Sequence, residues 1–254
     1  MRRIFITGAS TGIGAALARH YAGADTEIGL FARRHDLLEK LAASLTGRSA
    51  IYAADIADTA AVGAAAQDFL ARFGAPDLVI ANAGISVGTR GDELQDVDKL
   101  RRVLDVNVSG LAATLAAFAP AMRAAGTGTL CGIASVAGFR GLPGAGAYST
   151  SKAAAITWLE SLRTEMAGSG VSVVTICPGY IDTPMTQVNR YPMPFLITAE
   201  DAAARFARAI AAKRRLAVIP WQMALVSLLL RALPGWLYDR LAARAPRKPR
   251  DLPL

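Results

Sequence analysis

Tyr148 and Lys152 stand four residues apart in "AYSTSKAAAITWLE", a run otherwise filled with Ala, Ser and Thr that has the composition of a helix. Side chains at i and i+4 meet on one helix face. A phenol has a pKa near 10 in water and is a poor proton carrier at neutral pH unless a nearby cation favours its ionised form. A lysine one turn away supplies that cation, so the pair points to proton transfer at a substrate oxygen. Taken alone, the spacing also suits a packed tyrosine beside a solvated lysine. The surrounding residues must decide.

A second constellation lies near the start. In "TGASTGIGAALARHYA", Gly8, Gly12 and Gly14 fall where an apolar run gives way to a helical pattern. Glycines there allow a tight turn and let backbone amides approach a pyrophosphate, which the helix N-terminus then favours. The spacing is G-x-x-x-G-x-G rather than G-x-G-x-x-G, and loop geometry alone is the other explanation. The next apolar run ends at Ala32, where an acidic residue would bind the ribose 2′-hydroxyl of NAD. Arg33 and Arg34 follow instead, and guanidinium groups suit the 2′-phosphate of NADP. They could equally be solvated residues opening the helix "HDLLEKLAASL", but cations are unfavourable at a helix N-terminus with no anion to meet. NADP(H) is therefore expected over NAD(H).

Seven apolar runs must position these groups: "RRIFITG", "TEIGLFA", "RSAIYAAD", "DLVIANAG", "GTLCGIAS", "VSVVTICPG" and "RLAVIP". Most are continuously hydrophobic and alternate with Ala-rich helical stretches, as expected of strands buried on both faces of a parallel sheet. The expected fold is α/β, a doubly wound, mostly parallel seven-stranded sheet of Rossmann type with a C-terminal helical extension. With 254 residues, 53% hydrophobic and 19% charged, one core suffices. Residues 1–220 are expected to form the dinucleotide-binding and catalytic domain, and 221–254 an apolar and basic extension of it. Cys131 and Cys177 sit in strand-like runs as buried free thiols, and no metal site is expected. The strand pattern begins at once, without a secretory signal, so a cytoplasmic location is expected.

Several motifs, in order along residues 2–220, resemble the short-chain dehydrogenase/reductase superfamily. "TGASTGIG", carrying Gly8, Ser10, Thr11, Gly12, Ile13 and Gly14, resembles its cofactor loop. Asp55 and Ile56 resemble its adenine contact, and Asn82, Ala83 and Gly84 the segment that steadies the central sheet. "NVSG" from Asn107, "IASVAG" with Ser135, "YSTSK" with Tyr148 and Lys152, and "PGYIDT" with Pro178, Gly179, Ile181 and Thr183 complete the series. The resemblance implies hydride transfer between NADP(H) and a carbonyl or secondary alcohol. In it Tyr148 gives or takes the proton, Ser135 holds the substrate oxygen, Lys152 also binds the nicotinamide ribose, and Asn107 anchors a proton relay. Ile181 and Thr183 would meet the nicotinamide carboxamide, although Thr183 could equally cap a helix begun by Pro184. Asp55 could be an ordinary turn acid. The family usually pairs through the helix carrying Tyr148 and its neighbour, implying a homodimer or homotetramer. A catalytically idle NADP-binding regulatory protein, and a reductase of small polar carbonyls, are the alternatives. The complete set of four argues against the first.

The net charge of +8 is confined to one region. Residues 205–250 hold eleven Lys or Arg against the single acid Asp239, a net +10, while the rest of the chain carries 17 bases and 19 acids. No nucleic-acid recognition motif accompanies the basic segment, and nucleic acid is not an expected partner. In "MTQVNRYPMPFLITAED", Met185, Val188, Tyr191, Met193, Phe195 and Leu196 would form an apolar lid with Arg190 its one formal charge, favouring a lipophilic substrate. From 221 to 250 the chain is apolar with Trp221 and Trp236, then basic. This suits either a helix lying in the interface of an anionic leaflet or a packing element with a solvated tail. Its uncharged stretch from Leu216 to Leu230 is too short to span a bilayer.

Overall fold

The structure, a computed structural model, describes residues 1–189, 191–243 and 247–250. Arg190 of the expected lid, and Arg244 of the basic segment, lie outside them. The chain alternates β1 (Arg2–Thr7), α1 (Gly12–Tyr21), β2 (Thr26–Ala32), α2 (His35–Ser44), β3 (Arg48–Ala53), α3 (Thr59–Phe73) and β4 (Leu78–Ala81). Helix α4 (Asp96–Leu104) then runs through a π-helical turn, Asp105–Ser109, into α5 (Gly110–Ala125). Next come β5 (Gly128–Ile133), α6 (Gly146–Glu165), β6 (Val171–Pro178), β7 (Ile181–Asp182), α7 (Pro184–Gln187) and β8 (Ile197–Thr198). The chain closes with α8 (Ala199–Ala211), β9 (Leu216–Ile219), α9 (Trp221–Ala232) and α10 (Gly235–Ala242).

Strands β1 to β6 and β9 form one parallel sheet in the order β3-β2-β1-β4-β5-β6-β9. These are the seven apolar runs of the sequence. Strand β2 is buried along its whole length, which explains why its pattern is continuous rather than alternating. Two apolar layers cover the sheet. Leu17, Leu38 and Phe206 of α1, α2 and α8 pack on one face, and Phe69, Phe118 and Leu159 of α3, α5 and α6 on the other. Phe5 of β1 is fully buried against the rings of Phe69 and Phe118, at centroid distances of 5.5 and 4.7 Å. Each such ring contributes about 1.5–3 kcal/mol by burial.

The short pair β7–β8 leaves no mark in the sequence, because two residues per strand give no periodicity to read. After β9, α9 and α10 pack on the carboxyl edge of the sheet. Arg140 donates to the carbonyls of Arg231 and Leu233 at 3.4 and 3.3 Å, and its guanidinium lies 4.2 Å from the Tyr238 ring centroid. The outward side of these two helices is apolar: Trp221, Leu225, Leu228, Leu229, Trp236 and Leu241 are all more than half exposed. The continuous helix from Asp96 to Ala125 is long and apolar enough to cross a bilayer, but half of its apolar window is buried in the fold, as in a core helix.

Candidate active site

The strand order turns at β1, whose neighbours β2 and β4 lead the sheet in opposite directions. Doubly wound sheets open a crevice at that point, beyond the carboxyl ends of the strands. Asn82 stitches the two strand ends together there. Its backbone N–H and that of Ala83 donate to Thr7 Oγ1 at 3.0 and 3.1 Å, and its side-chain amide donates to the Thr7 carbonyl at 3.0 Å. One cleft follows this edge. Of the catalytic and cofactor-binding residues expected from the sequence, all but Gly14 and Asn107 border it; of the expected lid residues Met185 does, and Val188, Tyr191, Met193, Phe195 and Leu196 do not.

At one end the cleft is walled by Gly8, Ser10, Thr11, Gly12 and Ile13, with Arg33 and Arg34 opposite. Gly8 and Gly12 have φ of +68° and +56°, a region that disfavours any side chain. Gly14 stands behind the loop, where a Cβ would come within 2.2 Å of the Gly8 carbonyl oxygen. Thr11, at the N-cap of α1, makes no side-chain cap; its hydroxyl accepts instead from Arg34 Nη2 at 3.0 Å, as Ser10 does at 3.2 Å. The first amides of α1 thus stay available to an anion. A glycine loop without room for Cβ atoms, an uncapped helix start and two exposed arginines fit a dinucleotide phosphate. Asp55 and Ile56 border the same end. Burial opposes ionisation of Asp55, but the Ala57 amide and the Arg102 guanidinium, helped by the charge of Arg33, hold its carboxyl below the usual range.

Ser135, Tyr148 and Lys152 gather at the other end. Ser135 follows β5 and turns the chain, its hydroxyl accepting from the Ala137 amide at 3.1 Å. Burial raises the Tyr148 pKa, and a hydrogen bond with Ser135 opposes the rise. Burial also pushes the Lys152 ammonium down, to about 8. Lys152 Nζ donates to the Ile133 carbonyl at 2.9 Å and sits 5.7 Å from the Tyr148 ring centroid. The Lys152 ammonium turns to a strand-end carbonyl, and burial dominates the phenol, which stays protonated at neutral pH.

Asn107 lies behind the cleft in the π-helical turn, fully buried. Its side chain accepts from the Ile85 amide at 2.8 Å and donates to the Ile85 carbonyl and to Ser151 Oγ, both at 2.9 Å. It therefore joins the π turn to β4's outgoing loop and to α6. A Cβ on Gly84 would come within 3.2 Å of Asn107 Oδ1 and 3.5 Å of Lys152 Nζ, so a glycine keeps that corner open. Pro178, Gly179, Ile181 and Thr183 border the cleft from β6 and beyond. Pro184 opens α7, and the Thr183 amide donates to Thr186 Oγ1 at 3.0 Å. Thr183 thus holds the N-cap position and borders the cleft together. Ile85, Val106, Ala134 and Thr186 also line it and were not singled out. The first three directly adjoin motif residues, and small or apolar types carry no chemical signal of their own.

The model of the short chain dehydrogenase family matches residues 2–193. The chain belongs to that family. This short-chain dehydrogenase is 38% identical over 248 residues to an uncharacterized oxidoreductase of Myxococcus xanthus strain DK1622, covering 96% of this chain and 97% of the relative. It is 34% identical over 213 residues to the 2-dehydro-3-deoxy-L-rhamnonate dehydrogenase (NAD(+)) of Sphingomonas sp. strain SKA58, covering 80% and 85%. Among solved structures it resembles an alcohol dehydrogenase from Thermococcus sibiricus complexed with 5-hydroxy-NADP. The TM-score is 0.77 at 28% identity, over 86% of this chain and 96% of the other. The dehydrogenase is accordingly an oxidoreductase that interconverts C=O and CH–OH groups with a nicotinamide cofactor.

Proposed function

We propose that the protein is an NADP(H)-dependent reductase of lipophilic carbonyl compounds, or the dehydrogenase of the matching secondary alcohols. The observation that carries the reading is the convergence of Tyr148, Ser135 and Lys152 at one end of a cleft whose other end holds the glycine loop and both arginines. When bound, the nicotinamide supplies or accepts the hydride. Ser135 would donate to the substrate oxygen and fix it beside Tyr148 Oη, a bond that strengthens as charge develops there. Tyr148, kept protonated by its surroundings, would give its proton to that oxygen. Lys152, buried and cationic below about pH 8, would hold the cofactor ribose and favour the phenolate once the proton has left. Asn107 would serve as a positioning residue for the relay that reprotonates the tyrosine, its bonds to Ile85 and Ser151 keeping the π turn in register.

Arg33 and Arg34, with no acidic residue at Ala32, support NADP(H) over NAD(H). Met185, which lines the cleft, and the exposed apolar Val188, Phe195 and Leu196 that follow it along the chain support a lipophilic substrate. The exposed apolar side of α9 and α10 stands beside the loop that follows Ser135, and Arg231 and Arg240 flank it. We read this as a surface for the interface of an anionic bilayer on the cytoplasmic side, from which such a substrate enters. Assembly as a homodimer or homotetramer rests on the family.

The test is NADPH oxidation by the purified protein across ketones of increasing chain length, with and without anionic vesicles. Turnover should rise with lipophilicity and again with vesicles. No turnover of any ketone would overturn the reductase reading, and indifference to vesicles would overturn the membrane surface.

A further inference from the structure

Residues Arg247 to Arg250 pack against the loops that leave β4, β5 and β6, the same loops whose first residues border the cleft. The segment touches all three. The Gly88 amide donates to the Pro249 carbonyl at 2.9 Å. A Cβ on Gly144 would meet Arg247 Cβ at 2.8 Å. Lys248 Nζ lies 3.4 Å from the Met185 carbonyl.

The seat is specific. Arg250 Nη2 and Nε reach Asp96 Oδ2 at 2.9 and 3.1 Å, and the Asp96 side chain is only 2% exposed. Lys99 Nζ bonds the same carboxylate at 3.0 Å and also donates to the Arg250 carbonyl at 3.1 Å. Gly88 leaves the space the segment needs, since a Cβ there would come within 2.3 Å of the Lys248 carbonyl oxygen.

Within this strap Lys248 is anomalous. It is 8% exposed, and among the described residues its ammonium has one long bond to a neutral carbonyl and no carboxylate in ion-pair range. Met185, which provides that carbonyl, lines the cleft. A buried ammonium with donors to spare is stabilised most by an anion brought to it. The loop that holds Met185 continues with Val188, Phe195 and Leu196, which like Met185 are exposed and apolar.

We propose that residues 247–250 strap the substrate mouth and that Lys248 is a specificity-determining residue, receiving the carboxylate of a lipophilic oxo acid. The proposal rests on the lipophilic-carbonyl reading above, so its test uses equilibrium readouts that need no turnover. The first is amide hydrogen exchange at Gly88 in the full chain and in Arg250→Gln, where Asp96 keeps Lys99 and the Arg90 amide as partners. Exchange should accelerate about tenfold or more as the strap is released. An unchanged rate overturns the strap.

The second is calorimetric binding of 4-oxodecanoate and of its methyl ester. Wild type should bind the acid about tenfold more tightly than the ester, and Lys248→Gln should abolish that preference while leaving the ester unchanged. Equal binding of the two by wild type, a preference that survives Lys248→Gln, or no binding of either overturns the role of Lys248. A protein that binds the acid through Lys248 but never oxidises NADPH would sink the reductase reading and spare this one.

Discussion

Arg33 and Arg34 stand side by side at the end of β2 but differ in their partners, and that difference sets the size of a cofactor-preference experiment. Arg34 already donates to Ser10 and Thr11, so removing it disturbs the loop that any dinucleotide must use. Arg33 is exposed and borders the cleft, and Asp55, the acid whose ionisation it favours, is held mainly by the Ala57 amide and Arg102. A charge-assisted bond from a guanidinium to the 2′-phosphate is worth about 1.5–3 kcal/mol, or roughly a 10–150-fold change in affinity. Arg33→Ala should therefore weaken NADPH by about that factor while leaving NADH within about twofold. Arg34→Ala should weaken both cofactors. Because Arg33 is exposed, its effect should shrink when salt is raised from about 0.05 to 0.5 M, as screening of surface charge requires. Fluorescence titration of each variant with each cofactor at both salt concentrations reads all of this. Equal losses of NADPH and NADH in Arg33→Ala, or none, would refute the assignment of that residue to the 2′-phosphate.

Glycine substitutions separate loop geometry from helix propensity. Gly14→Ala places a Cβ 2.2 Å from the Gly8 carbonyl oxygen and should lower stability by about 1–3 kcal/mol. Gly63→Ala, in α3 with nothing within 4 Å, should raise it by about 0.5–1 kcal/mol. Thermal unfolding with the same sign for both would contradict the packing described. Lys152 gives a pH signature. Its folded pKa is lowered to about 8 by burial, so from pH 8 up to 10.5 the unfolded chain holds a proton that the folded chain has lost. Its contribution to stability therefore grows with pH in that window. Affinity for the anionic cofactor should move the other way, falling as pH passes 8 in wild type and staying flat in Lys152→Met. A flat wild-type profile would remove the lysine from cofactor binding.

Much of the fold was legible because its signals are local. A parallel strand buried on both faces reads as an unbroken apolar run, as β2 and β4 do, whereas the half-exposed edge strand β3 opens on Arg48 and Ser49 and reads less cleanly. The residues around the cleft were legible for a related reason: they come in short motifs at strand ends, and the sheet alone brings those ends together. What stayed hidden depends on contacts distant in sequence. The Arg250–Asp96 pair spans 154 residues, and without it residues 247–250 look like part of a solvated basic run. The turn of Lys152 toward the Ile133 carbonyl depends on how α6 lies against β5, which i, i+4 spacing does not encode. The π turn around Asn107 lies inside a helix whose composition does not mark it.

The proposed reaction turns on Tyr148 delivering the proton. Tyr148→Phe removes one hydroxyl and keeps the ring, so the measurement is ketone-dependent NADPH oxidation in this variant beside its NADPH affinity. General acid catalysis contributes about 10²–10⁴ in rate, so a loss of that size is expected, with NADPH affinity unchanged within about threefold. Turnover at the wild-type rate would contradict it.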